Sequence, residues 1–81
     1  NMNITRTPHY IELRSSDILD DFCIRIQKDC SQLQIESNGD EAFVDLNVNQ
    51  LISIRDCVNE VIQEHLTKVY SKQTDGTSDA G

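Results

Sequence analysis

The side chains best suited to metal binding or redox chemistry in this chain are its three cysteines and two histidines. Cys23 and Cys30 lie too far apart for a closely spaced ligand pair, and Cys57 falls in a different part of the chain. Neither His9 nor His65 belongs to a ligand motif. An odd number of cysteines without a Cys-x-x-Cys pair also opposes a disulfide framework. We therefore predict no metal site and expect reduced thiols, as in a cytoplasmic protein.

Covalent catalysis needs a nucleophile beside a base and a group that orients the base. His65 falls on the apolar face of a predicted helix, His9 opens a predicted strand, and the sequence places no such groups near either of them. The acidic pairs Asp20-Asp21 and Asp40-Glu41 fall in predicted turns, where carboxylates are usually solvated. The glycines form no phosphate-binding loop. We predict that the protein is not an enzyme and uses no cofactor.

The net charge is −7, from 14 acidic and 7 basic residues in a chain of 81. This charge opposes binding to nucleic acid through phosphate neutralisation, and it favours a neutral or basic protein partner. A chain of this length has too small an interior for a deep catalytic cleft within one protomer. No apolar run approaches the ~18 residues of a membrane span, so we predict no membrane partner.

The longest periodic segment predicts a helix from Asn47 to Tyr70. Asn47 is placed to cap its first N–H groups, and Gln50 stands three positions later, as in a capping box. A step of about 100° per residue collects a broad apolar face. Its members are Leu51, Ile54, Val58, Val61, Ile62, His65 and Val69. A helix of this kind needs an apolar partner surface.

Four strands are predicted before the helix. Residues 9–14 and 22–27 alternate apolar with polar positions, and Asn38-Gly39 predicts a type I′ hairpin turn between the third and fourth strands. With 28–31 as a loop, the pairs that share the apolar face are Ser37 with Asp40, Ile35 with Ala42, Leu33 with Val44, Ile26 with Leu33, and Ile24 with Ile35. The predicted fold is α+β: a four-stranded antiparallel meander (ββββα) with the C-terminal helix packed on one face.

The domain prediction divides the chain into three segments. Residues 1–8 are expected to be a flexible arm, 9–70 a single domain, and 71–81, which are small and polar, a disordered tail.

The outer face of the predicted sheet is the candidate binding surface. It combines aromatic rings, guanidinium groups and amides, a mixture suited to contacts with a partner. The candidate site residues are Tyr10, Arg14, Arg25, Gln27, Gln32, Gln34 and Phe43.

The layout of four strands and a helix, with Val44-Asp45-Leu46-Asn47 leading into the helix, resembles the single-strand-binding transcriptional coactivators over residues 9–70. The resemblance implies a dimer formed through the helix and DNA bound on the curved sheet. The sheets of those coactivators are basic, whereas the outer face here is close to neutral. The side chains that could stack on bases or meet phosphates are Tyr10, Phe43, Arg14 and Arg25.

A shortage of core predicts self-association. Only 37% of the residues are hydrophobic and 5% aromatic, so burial within one chain barely offsets the entropy of ordering it. We expect a homodimer through the flank of the helix, formed by Ile52, Leu66 and Tyr70, and the alternative interface is the outer sheet face with Phe43 and Tyr10. The function we expect is that of a small acidic interaction domain, an adaptor or inhibitor of the kind encoded by phages and mobile elements. The alternative is a module that binds a nucleotide or single-stranded nucleic acid on the open sheet face.

Overall fold

The computed structural model describes residues 2–15 and 21–78, and side chains in these ranges as far as Tyr70. Five strands form one antiparallel sheet in chain order: β1 (Met2–Arg6), β2 (Tyr10–Ser15), β3 (Phe22–Gln27), β4 (Gln32–Ser37) and β5 (Asp40–Asp45). One helix follows, α1 (Val48–Ser78). The α+β class and the antiparallel meander are therefore confirmed. The predicted turn around Asp20 lies outside the described residues, except for its ends.

The predicted number of strands is wrong, because β1 occupies most of the segment expected to be a flexible arm. β1 pairs with β2 and places Ile4 opposite Leu13 and Asn3 opposite Arg14. The short run from Met2 to Arg6 does alternate apolar with polar side chains, which is the pattern of a half-buried strand. It ends two residues before Pro8, which cannot donate a ladder hydrogen bond.

The predicted register of the β4–β5 hairpin is confirmed. Asn38 and Gly39 have φ angles of 52° and 87°, as a type I′ turn requires. Ser37 then lies opposite Asp40, and Ile35 lies opposite Ala42.

The predicted loop between β3 and β4 is also confirmed, and so are the pairs Ile26 with Leu33 and Ile24 with Ile35. The N–H of Cys30 donates to the carbonyl of Gln27 at 3.0 Å, and Cys30 has a φ of 63°. The sequence did not predict a left-handed conformation at Cys30. Such positions are usually occupied by glycine or asparagine, and a cysteine gives no indication of one.

The start of α1 follows the predicted capping box. The backbone N–H of Gln50 donates to Asn47 Oδ1 at 2.9 Å, and the N–H of Asn47 donates to Gln50 Oε1 at 3.0 Å. The helix continues beyond Tyr70 to Ser78, where a disordered tail was expected. Lys72 and Gln73 favour helix, and adding residues to a formed helix is far easier than starting one. Residues 79–81 of that predicted tail lie outside the described residues.

The chain divides into two compact units, Asn1–Leu51 with the sheet and Ile52–Gly81 with most of α1. The prediction that 9–70 form a single domain stays a prediction.

One face of the sheet, the inner face, carries continuous rows of apolar side chains. The strand register aligns Ile4, Leu13, Ile24, Ile35 and Ala42 in one row, and Ile11, Ile26, Leu33 and Val44 in the next. Among the described residues the only buried hydrophobic side chain is Cys23, which is 7% exposed. The inner face therefore contributes no fully buried large side chain.

Candidate binding face of the sheet

The opposite face of the sheet, the outer face, brings the predicted site residues together. Strand register places them in three rows. The rows are Tyr10, Gln27, Gln32 and Asp45; Thr5, Glu12, Arg25, Gln34 and Phe43; and Asn3, Arg14, Cys23, Glu36 and Glu41. All seven side chains chosen from the sequence share this face because their spacing along each strand is even.

Glu12 is the centre of the charged contacts on β2 and β3. Arg25 Nη2 donates to Glu12 Oε1 at 2.8 Å, and Arg14 Nε lies 3.7 Å from Glu12 Oε2. The Glu12 side chain is only 14% exposed. The hydrogen bond from Arg25 holds the pKa of Glu12 below its usual range, although desolvation opposes this shift. The same bond raises the pKa of Arg25.

Arg25 is held on two sides. Its guanidinium carbon lies 4.1 Å from the centre of the Tyr10 ring, a cation–π contact that orients the planar group over the aromatic face. Its Nε is buried and has no hydrogen-bond partner among the described residues. The two predicted phosphate-binding groups, Arg14 and Arg25, are therefore both engaged by a carboxylate of their own chain.

Cys23 lies beside this cluster, opposite Arg14. Its burial raises the pKa of the thiol, and a hydrogen bond with Glu12 raises it further. A buried thiol with a raised pKa is a poor nucleophile and a poor metal ligand. In the described part of the chain, no group of three or more His, Cys, Asp or Glu side chains could hold a metal ion.

The β4–β5 half of the outer face has a different character. It carries Glu36, Glu41 and Asp45, and within it Phe43 is 56% exposed. Gln32 Nε2 donates to Asp45 Oδ1 at 3.3 Å. The site predicted from the sequence did not include Glu36 and Glu41, which lie opposite each other. Glu36 lies two residues after Gln34, and Glu41 lies two residues before Phe43. Because every second residue of a strand shares one face, alternation places both on the outer face.

The predicted dimer residues lie on the described part of α1. Ile52 is 39% exposed, Leu66 40% and Tyr70 62%. The main apolar face of the helix is also exposed, at positions that include Ile54, Val58, Val61, Ile62 and Val69. A helix with this much exposed apolar surface is typical of one that packs against a partner.

None of the described helices is long and apolar enough to cross a membrane. Comparisons of the chain with protein-family models, with curated proteins and with solved structures found no match.

Proposed function

We propose that this protein is a non-enzymatic interaction domain that assembles as a homodimer and binds a protein partner as an adaptor or inhibitor. The observation that carries the proposal is the exposure of large apolar side chains on both the inner face of the sheet and the helix, while Cys23 is the only buried hydrophobic residue among those described. Exposed apolar patches of this extent mark interaction surfaces.

The exposed apolar side chains of the inner face can still contribute burial energy. Burying one Val, Leu, Ile or Met contributes roughly 1.5 to 3 kcal/mol. Inner-face residues such as Ile4, Ile11 and Ile35 are 52%, 40% and 42% exposed, so much of this contribution is still available. Because ordering each residue costs about 1.5 kcal/mol, a chain with so little burial gains stability by covering these surfaces. A second copy supplies matching surfaces in equal number.

In the proposed dimer, the apolar face of α1 covers the inner face of a sheet, and the flank formed by Ile52, Leu66 and Tyr70 makes the two-fold contact. The acidic charge favours a neutral or basic protein as the further partner. Three free cysteines fit a reducing, cytoplasmic setting, and small acidic domains of this size suit a phage accessory protein that acts as an inhibitor.

Sedimentation equilibrium at micromolar concentration tests the assembly. We expect a dimer for the wild type, dissociation by Ile52→Glu, and no change with Phe43→Glu, whose side chain lies on the outer face of the sheet. A charge placed at a buried apolar contact is left without a partner, which costs several kcal/mol. A wild-type monomer at every concentration would contradict the proposal, and dissociation by Phe43→Glu alone would move the interface to the outer face.

The second candidate is binding of a nucleotide or single strand on the outer face. The stacked Arg25–Tyr10 pair and the exposed ring of Phe43 favour it, because bases stack on such groups. Two features oppose phosphate binding on this face: Glu12 already pairs with both arginines, and the neighbouring half of the face is acidic. Salt-dependent binding of an oligonucleotide, lost in Arg25→Gln, would favour this candidate.

A further inference from the structure

β5 forms one edge of the sheet, and all six of its residues are exposed. A hydrogen bond just beyond the end of β5 shows which of its residues direct their backbone groups to β4. The N–H of Leu46, just after β5, donates to the carbonyl of Ser31, just before β4, at 3.0 Å. Positions 46 and 31 are therefore in the hydrogen-bonded phase of the ladder. In an antiparallel ladder hydrogen-bonded pairs alternate with non-hydrogen-bonded ones. Val44, Ala42 and Asp40 therefore direct their backbone groups to β4, as the tight hairpin also requires.

The other three residues of β5 have the opposite orientation. Glu41, Phe43 and Asp45 direct their N–H and C=O groups away from β4, toward the free edge. The same three residues place their side chains on the outer face. The edge thus presents free backbone donors and acceptors together with a carboxylate, an exposed aromatic ring and a second carboxylate. This is the arrangement that an added strand can pair with.

The charges of this edge have no counterpart within the described chain. Glu12 pairs with two arginines, whereas no described cation lies within ion-pair distance of Glu41, Asp45 or the neighbouring Glu36. Glu36 and Glu41 also lie opposite each other, which places two like charges side by side. A cationic strand would relieve this repulsion and form new ion pairs.

A second copy of this chain is a poor occupant of the same edge. Antiparallel pairing of β5 with another β5 about Phe43 would place Glu41 opposite Asp45 of the other copy, and again at the symmetric position. Like charges directly opposite each other destabilise a strand pair. Acidic side chains on an edge strand are a known protection against self-pairing. The charges of the edge therefore favour a positively charged occupant over a second copy.

We propose that the edge of β5 binds an extended cationic segment of the partner protein by strand addition. The segment carries basic side chains opposite Glu41 and Asp45 and an aromatic or aliphatic side chain opposite Phe43. Its pattern is basic–x–apolar–x–basic, and it pairs antiparallel to β5, so that its central residue exchanges backbone hydrogen bonds with Phe43. The inference rests on the proposed function, because it specifies which class of protein segment the domain recognises and where.

The probe is a nonapeptide, Gly-Ser-Lys-Thr-Phe-Thr-Lys-Gly-Ser, titrated into the isotopically labelled full chain and followed by NMR. Matched peptides carry Glu in place of both Lys, or a methyl group on the backbone nitrogen of Phe. We expect saturable amide shifts centred on Glu41, Phe43 and Asp45. The Glu peptide should not bind, and the methylated one should lose binding because its central donor is blocked.

Substitutions at two neighbouring positions distinguish recognition by the β5 edge from an effect of net charge. Glu41→Lys and Asp40→Lys change the net charge equally, but Asp40 faces the other side of the sheet and directs its backbone to β4. Reversing one charge removes an attraction and adds a repulsion, so we expect Glu41→Lys to weaken binding about tenfold. Asp40→Lys should weaken it less than about threefold.

Three outcomes would overturn the inference: no saturable binding of the Lys peptide, equal losses from Glu41→Lys and Asp40→Lys, or amide shifts confined to positions outside β4 and β5. Sedimentation of the same samples distinguishes failure of the proposed dimer from failure of peptide binding at β5. A chain that remains dimeric and still fails to bind the peptide at β5 leaves the proposed assembly intact and rejects only the edge.

Discussion

Glu12 shows how a single carboxylate organises the β2–β3 half of the outer face. It accepts a hydrogen bond from Arg25 and pairs with Arg14, while Tyr10 holds the Arg25 guanidinium from another side. Through these contacts, the positive charges of the outer face are paired with a carboxylate of the same chain. The free charge of the outer face is therefore negative and lies on β4 and β5, which is why a cationic partner is expected there.

The pH dependence of this ion pair gives a prediction for Glu12→Gln. The pKa of Glu12 is lowered in the folded chain, so the ion pair stabilises the fold at pH values above the ordinary glutamate pKa. That contribution is lost as the pH falls through the folded-state pKa. We expect the substitution to lower the free energy of unfolding by about 1 to 2 kcal/mol at neutral pH, and by much less in strong acid.

Urea denaturation at both pH values measures the difference. Glu60→Gln, at an exposed position of α1, is the control, and it should change stability by less than about 0.5 kcal/mol. An equal loss for Glu12→Gln at neutral and at acid pH would show that packing, and not charge, is responsible.

At the scale of the elements, two hairpin loops both require a residue with positive φ, but they use different residue types. Gly39 adopts its φ of 87° without strain, and no atom lies within 4 Å of the position that a Cβ would occupy there. Cys30 adopts a φ of 63° despite its side chain. Left-handed backbone costs an ordinary L-residue roughly 1 to 2 kcal/mol. The β3–β4 loop therefore carries strain that the β4–β5 turn avoids.

Opposite effects are expected when the two loops are altered. Gly39→Ala should lower the free energy of unfolding by about 1 kcal/mol, through backbone strain alone. Cys30→Gly should raise it by up to about 1 kcal/mol, reduced by the greater entropy of glycine in the unfolded chain. Urea denaturation of the single variants and of the double variant is the measurement. Because the loops lie at opposite ends of β4, the effects should be additive within about 0.5 kcal/mol.

Destabilisation by Cys30→Gly would indicate that the Cys30 side chain, which is half-buried, contributes more by packing than its backbone costs. The prediction of strain in the β3–β4 loop would then be wrong.

At the scale of the whole molecule, exposure of apolar side chains links stability to assembly. The inner face and the helix expose many large hydrophobic residues, and no large side chain among those described is fully buried. If a second copy covers these surfaces, folding and association are coupled. The measured stability of the protein then depends on its concentration.

Thermal denaturation over about a hundredfold range of protein concentration tests this coupling. We expect the midpoint to rise with concentration. At a fixed concentration, Ile54→Ala or Val58→Ala should cost about 1 to 4 kcal/mol through lost burial. Glu60→Ala, on the polar side of the helix, should cost well under 1 kcal/mol. A midpoint independent of concentration, with equal values for all three variants, would contradict both the dimer and the assigned apolar face.

The features that the sequence determined by itself are those set by neighbouring residues. The capping box joins Asn47 to Gln50, and the Asn38-Gly39 turn sets the register of β4 and β5, because both depend on contacts within three positions of the chain. Alternation then placed the seven candidate site residues on one face. The β1 strand was missed although Met2 to Arg6 alternates, because only Met2 and Ile4 are apolar in this short segment.

Only the tertiary structure decided which of these side chains meet and which remain exposed. The cluster of Tyr10, Glu12 and Arg25 arises from the alignment of several strands, and so do the β5 carboxylates that lack a cationic partner among the described residues. That alignment is set by pairing between distant parts of the chain. Burial is also a collective property, since it depends on every neighbouring strand at once. Cys23 and Phe43 lie on the same face of the sheet, yet the assembled sheet buries the first and leaves the second on an open edge.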